Sequence, residues 1–327
     1  MECQAVSAHL GSLLCQIAVI MQGMSLVIDH GVLRKGNQVS NIHRSKKDGF
    51  LLAGVMGWPV LHSRSPLMHN YWFSQQNLRG SYVPLEIKPG SVGAALRAMA
   101  PLGFSGCNLT IPHKLEAMDI VDELDDVAKK IGAISCVVVR EDQSLFGTNN
   151  DWLGFIGNIK QQVPDWRANA GPVVVLGAGG GARAICYALL SEGATEIRLV
   201  NRTKAHAEII ASEFGGPIET LPWDLRHDVL DGAAMLVNTT SQGMVGMAEL
   251  DLTLDALPTT ALVSDIIYTP LETRLLAAAR QRGNMTINGL GMLLHQGKPA
   301  WRMWFDVEPE VTDELRQNME ASIRGDE

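Results

Sequence analysis

The stretch Val173 to Ala184, "VVVLGAGGGARA", constrains the fold more than any other part of the chain. Its uninterrupted apolar run reads as a strand buried on both faces, and such strands belong to parallel sheets covered by helices. The strand enters Gly177-x-Gly179-x-x-Ala182 and passes directly into a helical pattern. In a dinucleotide-binding turn the first glycine makes the tight bend and the second lets backbone approach a pyrophosphate. The small third residue lets helix and strand pack closely. Gly177, Ala178, Gly179, Gly180 and Gly181 are thus candidate cofactor contacts.

The following strand indicates which dinucleotide. It ends "LVNRTKAHA", with Asn201 and Arg202 where an NAD site carries the acid that bonds the ribose 2′-hydroxyl. An acid would repel a 2′-phosphate, whereas a guanidinium clamps it. Asn201, Arg202 and Thr203 therefore favour NADP over NAD, with an exposed surface charge as the rival role for Arg202; His206 and Arg183 either add positive charge or simply face water.

At 327 residues the chain is about twice a typical domain. It carries 27 Lys and Arg against 35 Asp and Glu, a net charge of −8, with no long basic run. That argues against nucleic acid or membrane as a partner, so an anionic ligand needs local positive groups. Five scattered cysteines without a C-x-x-C pair read as reduced thiols of a cytoplasmic protein, and no metal-ligand spacing is found. Residues 1–49 read as a poorly ordered extension, with Met21 and Met24 as alternative starts. Leu10 to Ile28 is apolar, but no Lys or Arg precedes it and polar residues interrupt it.

From Phe50 strands and helices alternate, predicting an α/β protein. Strands are expected in "FLLAGVMG", "SYVPLEI" and "FSGCNLT", helices at Ser65 to Gln76, Ser91 to Met99 and Pro112 to Ile131, and a hairpin turning at Glu141 to Ser144. A helix at Trp152 to Val163 precedes the second series. There the strands "VVVL", "EIRLVN", "AMLVN", "ALVSDI" and "MTI" alternate with helices at Ala182 to Leu190, Lys204 to Phe214 and Leu271 to Gln281. Helices at Gly289 to Phe305 and Thr312 to Ile323 end the chain. The expected division is a substrate domain, 50–151 plus 289–327, and a Rossmann-type NADP domain, 152–288, with ligands meeting in the cleft between them.

The segment "GCNLTIPHK" places Lys114 where a strand gives way to what reads as a helix start. A lysine is costly to desolvate, so one there is a surface accident or a chemical group. An enzyme reducing a carbonyl with a nicotinamide needs a proton donor beside the oxygen. Lys114 fits that role, and Asp151 in "GTNNDW" is its candidate partner. Asp151 also reads as a simple N-cap of the Trp152 helix.

Seven blocks in order resemble the shikimate dehydrogenase family: "GWPVLHSRSPLMHN", "GCNLTIPHK", "GTNNDWLG", "GAGGGARA", "NRT", "VNTTSQGM" and "NGLGMLLHQG". The resemblance implies NADP-dependent interconversion of 3-dehydroshikimate and shikimate in the aromatic pathway. It implies Lys114 and Asp151 as the catalytic pair and Ser63 and Ser65 as holders of the substrate carboxylate. Asn108, Thr110 and Gln296 would bond ring hydroxyls, and Tyr268 would approach the carboxylate. Asn238, Thr239, Thr240 and Ser241 would line the cofactor strand, with Ile266 and Gly289 bordering the nicotinamide. For Asn238 to Ser241 and Gln296 a purely structural role is a fair rival, as is a plain N-cap for Ser65 before Pro66. The expected partner is a small shikimate-like carboxylate, and a homodimer is compatible with the sequence.

The chain departs from the family pattern where Ser135 and Cys136 replace Asn and Thr. The asparagine contacts a substrate hydroxyl, and serine cannot offer an amide's paired donor and acceptor. Asn150 also replaces a threonine beside Asp151. These departures leave quinate, an amino-shikimate or a related cyclohexane-carboxylate open as substrate. A non-catalytic NADPH-binding regulator is the rival from another class.

Overall fold

The apolar run Leu51–Gly57 forms β1, the first strand of the first sheet in the computed structural model, which describes residues 49–325. After it come α1 (Ser65–Gln75), β2 (Gly80–Glu86), α2 (Val92–Ala98), β3 (Gly106–Leu109), β4 (Glu123–Leu124), α3 (Asp126–Ile131), β5 (Cys136–Val139) and β6 (Leu145–Thr148). The strands form one sheet in the order β2-β1-β3-β5-β6-β4. It is mixed: β1 pairs parallel with β2 and β3, while the β5–β6 hairpin runs antiparallel beside β3. The helix α4 (Asp151–Gln162) leads out of it.

The second sheet is parallel throughout. Its elements are β7 (Val173–Leu176), α5 (Gly180–Ser191), β8 (Ile197–Asn201), α6 (Lys204–Phe214), β9 (Ile218–Pro222), β10 (Met235–Asn238), β11 (Leu262–Asp265), α7 (Arg274–Gln281) and β12 (Thr286–Ile287). The order β12-β11-β10-β7-β8-β9 is doubly wound about β7 and β10. Completely buried Val173 to Leu176 explain the uninterrupted apolar run. α8 (Leu290–Phe305) and α9 (Asp313–Arg324) return to the first layer, where Trp301, Trp304 and Phe305 pack with Met68, Trp72 and Phe73 of α1.

Most expected elements are present, with three differences. The helix expected from Pro112 to Ile131 is broken into a turn, a 3₁₀ segment at Glu116–Asp119, β4 and α3. The carbonyl of Lys114 accepts from the Ile134 amide at 2.9 Å, which takes it out of a helical ladder and ties it to the sheet. Strands β4 and β9 are sheet edges that escaped the sequence reading: β4 has two residues, and β9 interrupts its apolar pattern with Glu219 and Thr220 and ends in Pro222. Helix α7 begins later than expected, since the Thr273 side chain caps it by accepting from Leu276. The expectations for residues 1–48 lie outside the described residues. No helix among the described residues is long and apolar enough to cross a membrane.

A polar group sits in the middle of the first core. The indole N–H of Trp301 donates to His69 Nδ1 at 2.6 Å, and the Tyr82 ring stacks on the imidazole with centroids 3.9 Å apart. Burial lowers the His69 pKa from 6.5 to about 3. The folded state therefore resists protonating a group that the unfolded chain protonates readily. Stability from His69 is complete above pH 6.5 and lost as pH falls towards 3, a loss of roughly 4–5 kcal/mol over that range. Denaturant unfolding of wild type and His69→Gln between pH 7.5 and 4.5 checks this: the variant should have a shallower loss of stability on acidification.

Candidate active site

The carboxyl ends of β3 and β6 bring Lys114 and Asp151 together. Lys114 Nζ donates to Asp151 Oδ2, with the lysine side chain 17% and the aspartate 1% exposed. Asp151 is the first residue of α4, but its carboxylate serves the lysine and Asn150 holds the N-cap position, so the capping alternative is excluded. The segment Ala133–Ser135 anchors both partners. Ile134 holds the Lys114 carbonyl, while Asn149 Nδ2 donates to the Ala133 carbonyl at 2.9 Å. Asn149 Oδ1 in turn accepts the Asp151 amide at 3.0 Å. Asp151 Oδ1 and Asn150 Nδ2, an acceptor and a donor on consecutive residues, are buried without a hydrogen-bond partner.

The other expected substrate contacts line this end of the first sheet. Ser63 Oγ accepts the Ser65 amide at 3.2 Å, and Arg64 occupies the N-cap position of α1, so Ser65 is not the cap. Asn108 donates through Nδ2 to the Ser135 carbonyl at 3.2 Å. Thr110 packs against Gly57, where a Cβ would come within 2.4 Å of its methyl carbon. Tyr268, on the loop after β11, is hydrogen-bonded to the Ser63 side chain and the Arg64 backbone, and desolvation pushes its pKa upward. Half-buried Gln296 on α8 packs at Gly154 of α4, one turn from Asp151. The Ser135 hydroxyl accepts the Asn150 amide at 2.9 Å, so it braces the backbone here.

The glycine turn meets this wall. A Cβ on Gly180 would lie 3.4 Å from the Lys114 side chain, and one on Gly181 3.1 Å from Ile266 Cδ1. Gly177 needs its missing Cβ twice over: its φ is +106°, and a Cβ would lie 2.6 Å from Thr239 Oγ1. Gly179 is exposed with open space beside it, at the start of a helix with no side-chain cap. Bare N–H groups at an uncapped helix start, with room beside them, fit a dinucleotide pyrophosphate. Gly289 adjoins Ile266 closely enough that a Cβ would fall 2.0 Å from its carbonyl oxygen. At the end of β8, Asn201 Nδ2 donates to the Thr203 carbonyl at 2.8 Å, while Arg202, Thr203 and His206 are exposed.

Two expected cofactor residues are otherwise engaged. Arg183, 7% exposed, gives its guanidinium to Glu213 and to the Ile131 carbonyl. Asn238 is completely buried and spends its carboxamide on Asp265, Gln242 and Thr240. The structural alternative describes its side chain, while Thr239 and Thr240 are partly exposed and Ser241 exposed. The sequence reading missed Tyr82, whose hydroxyl donates to Asn108 Oδ1 at 2.8 Å and is also hydrogen-bonded to Ser65. Its signal was the tyrosine in "SYVPLEI", on β2, which β1 alone separates from β3. Asn149 was missed as well, though it is next to a candidate pair. Among the described residues no group of His, Cys, Asp and Glu could hold a metal.

Two α/β layers, with a dinucleotide turn of one against an ammonium–carboxylate pair of the other, define a two-domain nucleotide-linked oxidoreductase. Family models described as shikimate dehydrogenase substrate binding domain and shikimate / quinate 5-dehydrogenase match residues 55–137 and 159–256. The chain is 49% identical over 265 residues to the NADP(+) shikimate dehydrogenase of Paramagnetospirillum magneticum, covering 81% of this chain and 96% of that one. The Thermus thermophilus enzyme, solved in complex with NADP(H) and shikimate, superposes with a TM-score of 0.73 at 33% identity, covering 84% of this chain and 99% of that one. A quinate dehydrogenase from Corynebacterium glutamicum in complex with NAD gives 0.75 at 28%, covering 85% and 100%. The chain belongs to the shikimate dehydrogenase family.

Removing the Tyr82 hydroxyl leaves the partly buried oxygen of Asn108 without its donor. Tyr82→Phe should lower stability by about 1–3 kcal/mol and raise the substrate KM, while leaving NADPH binding unchanged. Denaturant titration, steady-state kinetics and NADPH fluorescence titration read these three quantities.

Proposed function

We propose that the protein is an NADP-dependent shikimate dehydrogenase that reversibly reduces 3-dehydroshikimate to shikimate. The observation that carries this is the Lys114–Asp151 pair, whose lysine stem lies 3.4 Å from where a Cβ on Gly180 of the glycine turn would sit. Bound NADPH supplies the hydride that reaches the ring carbonyl carbon. Lys114 Nζ gives a proton to the carbonyl oxygen, which becomes the hydroxyl, and solvent restores the lysine's proton. Asp151 orients the ammonium. Ser63, Ser65 and Tyr268 hold the carboxylate, helped by the positive end of the α1 dipole. Asn108, Thr110 and Gln296 meet the ring hydroxyls. The unpartnered Asn150 Nδ2 and Asp151 Oδ1 suit a hydroxyl, which both accepts and donates.

On the cofactor side, backbone at Gly177 to Gly181 receives the pyrophosphate, while Arg202 and Thr203, with His206 nearby, take the 2′-phosphate. Thr239 to Ser241, Ile266 and Gly289 border the nicotinamide half. We assign residues 50–151 and 289–327 to the substrate domain and 152–288 to the cofactor domain. The buried thiols Cys107, Cys136 and Cys186 suit a reducing compartment such as the cytoplasm.

Ser135 favours a second reading within the class, a dehydrogenase of quinate or another cyclohexane-carboxylate, because the hydroxyl there is already engaged by Asn150. NADPH oxidation with 3-dehydroshikimate and with 3-dehydroquinate separates the two, and turnover of the latter alone reverses the substrate assignment. Lys114→Ala should lower kcat about 10²- to 10⁴-fold with NADPH affinity intact. Undiminished kcat would remove Lys114 from the mechanism, while a wild type that binds NADPH without turning over either substrate would turn the reading towards a non-catalytic NADPH-binding regulator. Arg202→Ala should raise KM for NADPH at least about tenfold and leave KM for NADH nearly unchanged.

A further inference from the structure

The guanidinium of Arg183 bridges the two layers. It rises from the first turn of α5, where its amide donates to the Gly179 carbonyl, so it belongs to the dinucleotide turn. Its side chain crosses to the first layer and donates through Nη1 to the Ile131 carbonyl at 2.9 Å, at the C-terminal end of α3. Nη1 and Nη2 both reach Glu213 Oε2 of α6 at 2.5 Å. A cation at a helix C-terminus meets the negative end of its dipole. Gly132 ends α3 in the left-handed region, with φ +68°, and a Cβ there would be 2.6 Å from Nη1. Beside this contact Ile131 and Ala133 pack on Ala184 in a small apolar cluster joining the layers.

The chain immediately after Ile131 supports the catalytic pair. Ile134 holds Lys114, Ala133 holds Asn149 and through it Asp151, and Ser135 holds Asn150. We infer that the Arg183–Glu213–Ile131 clasp is a positioning device that fixes Lys114 and Asp151 in register with the cofactor turn, and that Arg183 is not a phosphate ligand. This rests on the dehydrogenase reading above. Losing the clasp leaves the apolar cluster intact but frees segment 132–135 to shift, and a displacement of about 1 Å at the reacting groups costs on the order of a hundredfold in rate.

The test compares the full-length wild type with Arg183→Ala, Arg183→Lys, Glu213→Gln and the double variant Arg183→Ala/Glu213→Gln. Hydrogen exchange of the free proteins is read first, because it needs neither substrate nor cofactor. Amides of Gly132 to Ser135 should exchange at least about tenfold faster in Arg183→Ala. With 3-dehydroshikimate, kcat should fall about ten- to a hundredfold in Arg183→Ala and less in Glu213→Gln. The double variant should be no worse than Arg183→Ala, and lysine should restore part of the loss. The NADPH Kd should stay within about twofold. A tenfold weaker NADPH Kd with kcat unchanged would make Arg183 a phosphate ligand and overturn the inference. Unchanged exchange at 132–135, or faster exchange with unchanged kcat, would also overturn it. A wild type inactive on 3-dehydroshikimate would refute the dehydrogenase reading instead, while the exchange data still judge the clasp.

Discussion

The arrangement depends on one interaction, an ammonium held against a carboxylate that is 1% exposed. Removing a charge from water costs several kcal/mol unless a partner and further hydrogen bonds replace the solvent. Here the supporting bonds go mainly to backbone. Asn149 fixes the Asp151 amide, and Ile134 fixes the Lys114 carbonyl, so both side chains start from immobile main chain. A pair held this way keeps one geometry, which is what proton delivery to a single oxygen requires. The antiparallel insertion of β5 between β3 and β6 is what makes it possible, because it carries Ser135 between the ends that bear Lys114 and Asp151.

The opposite wall is organised by a lone buried acid. Asp265 Oδ1 accepts from Asn238 Nδ2 and the Ile267 amide, each at 3.1 Å, and Oδ2 accepts from Thr273 at 2.8 Å. One carboxylate thus joins the loop after β10 to the loop after β11 that carries Ile266 and Tyr268. Burial raises its pKa from 3.8 to about 6, against the three donors. A raised carboxylate is least costly when protonated, so its contribution to stability falls as pH rises from about 4 to 6. His69 works in the other direction, losing stability as pH falls below 6.5. The two buried groups partly cancel in mildly acid solution.

Legibility followed the range of the interactions. The glycine turn, the strand around Val173 and the β5–β6 hairpin are local patterns, and sequence periodicity located them. The surroundings of Lys114 were misread as a helix because Ile134, twenty residues on, claims its carbonyl. Tyr82, His69 and Trp301 form one contact chain from residues that only the tertiary fold brings together, so no local spacing announced them. Arg183 was visible as a charge beside the turn, but its direction was set by Glu213 and by the end of α3. The polarity of Asn238 was likewise plain, yet its burial was not, and burial assigns its carboxamide to the fold.

The departures at positions 135 and 150 form a single unit in space. The Ser135 hydroxyl accepts the Asn150 amide, and its carbonyl takes both the Asn108 carboxamide and the Leu109 amide. Each polar atom of Ser135 thus takes part in the scaffold, since its own amide goes to Thr148, while its hydroxyl acts there as an acceptor. A buried donor without a partner costs about as much as a lost hydrogen bond, so a fold keeps one only where something else meets it. At this wall the uncommitted donor is Asn150 Nδ2, immediately before the residue that orients the lysine. A polar site discriminates most strongly through groups left unpaired by the wrong ligand. Under the proposed function a ring substituent would meet the turn at 150–151 as well as Asn108, Thr110 and Gln296, and the serine at 135 acts on that turn by fixing where it begins.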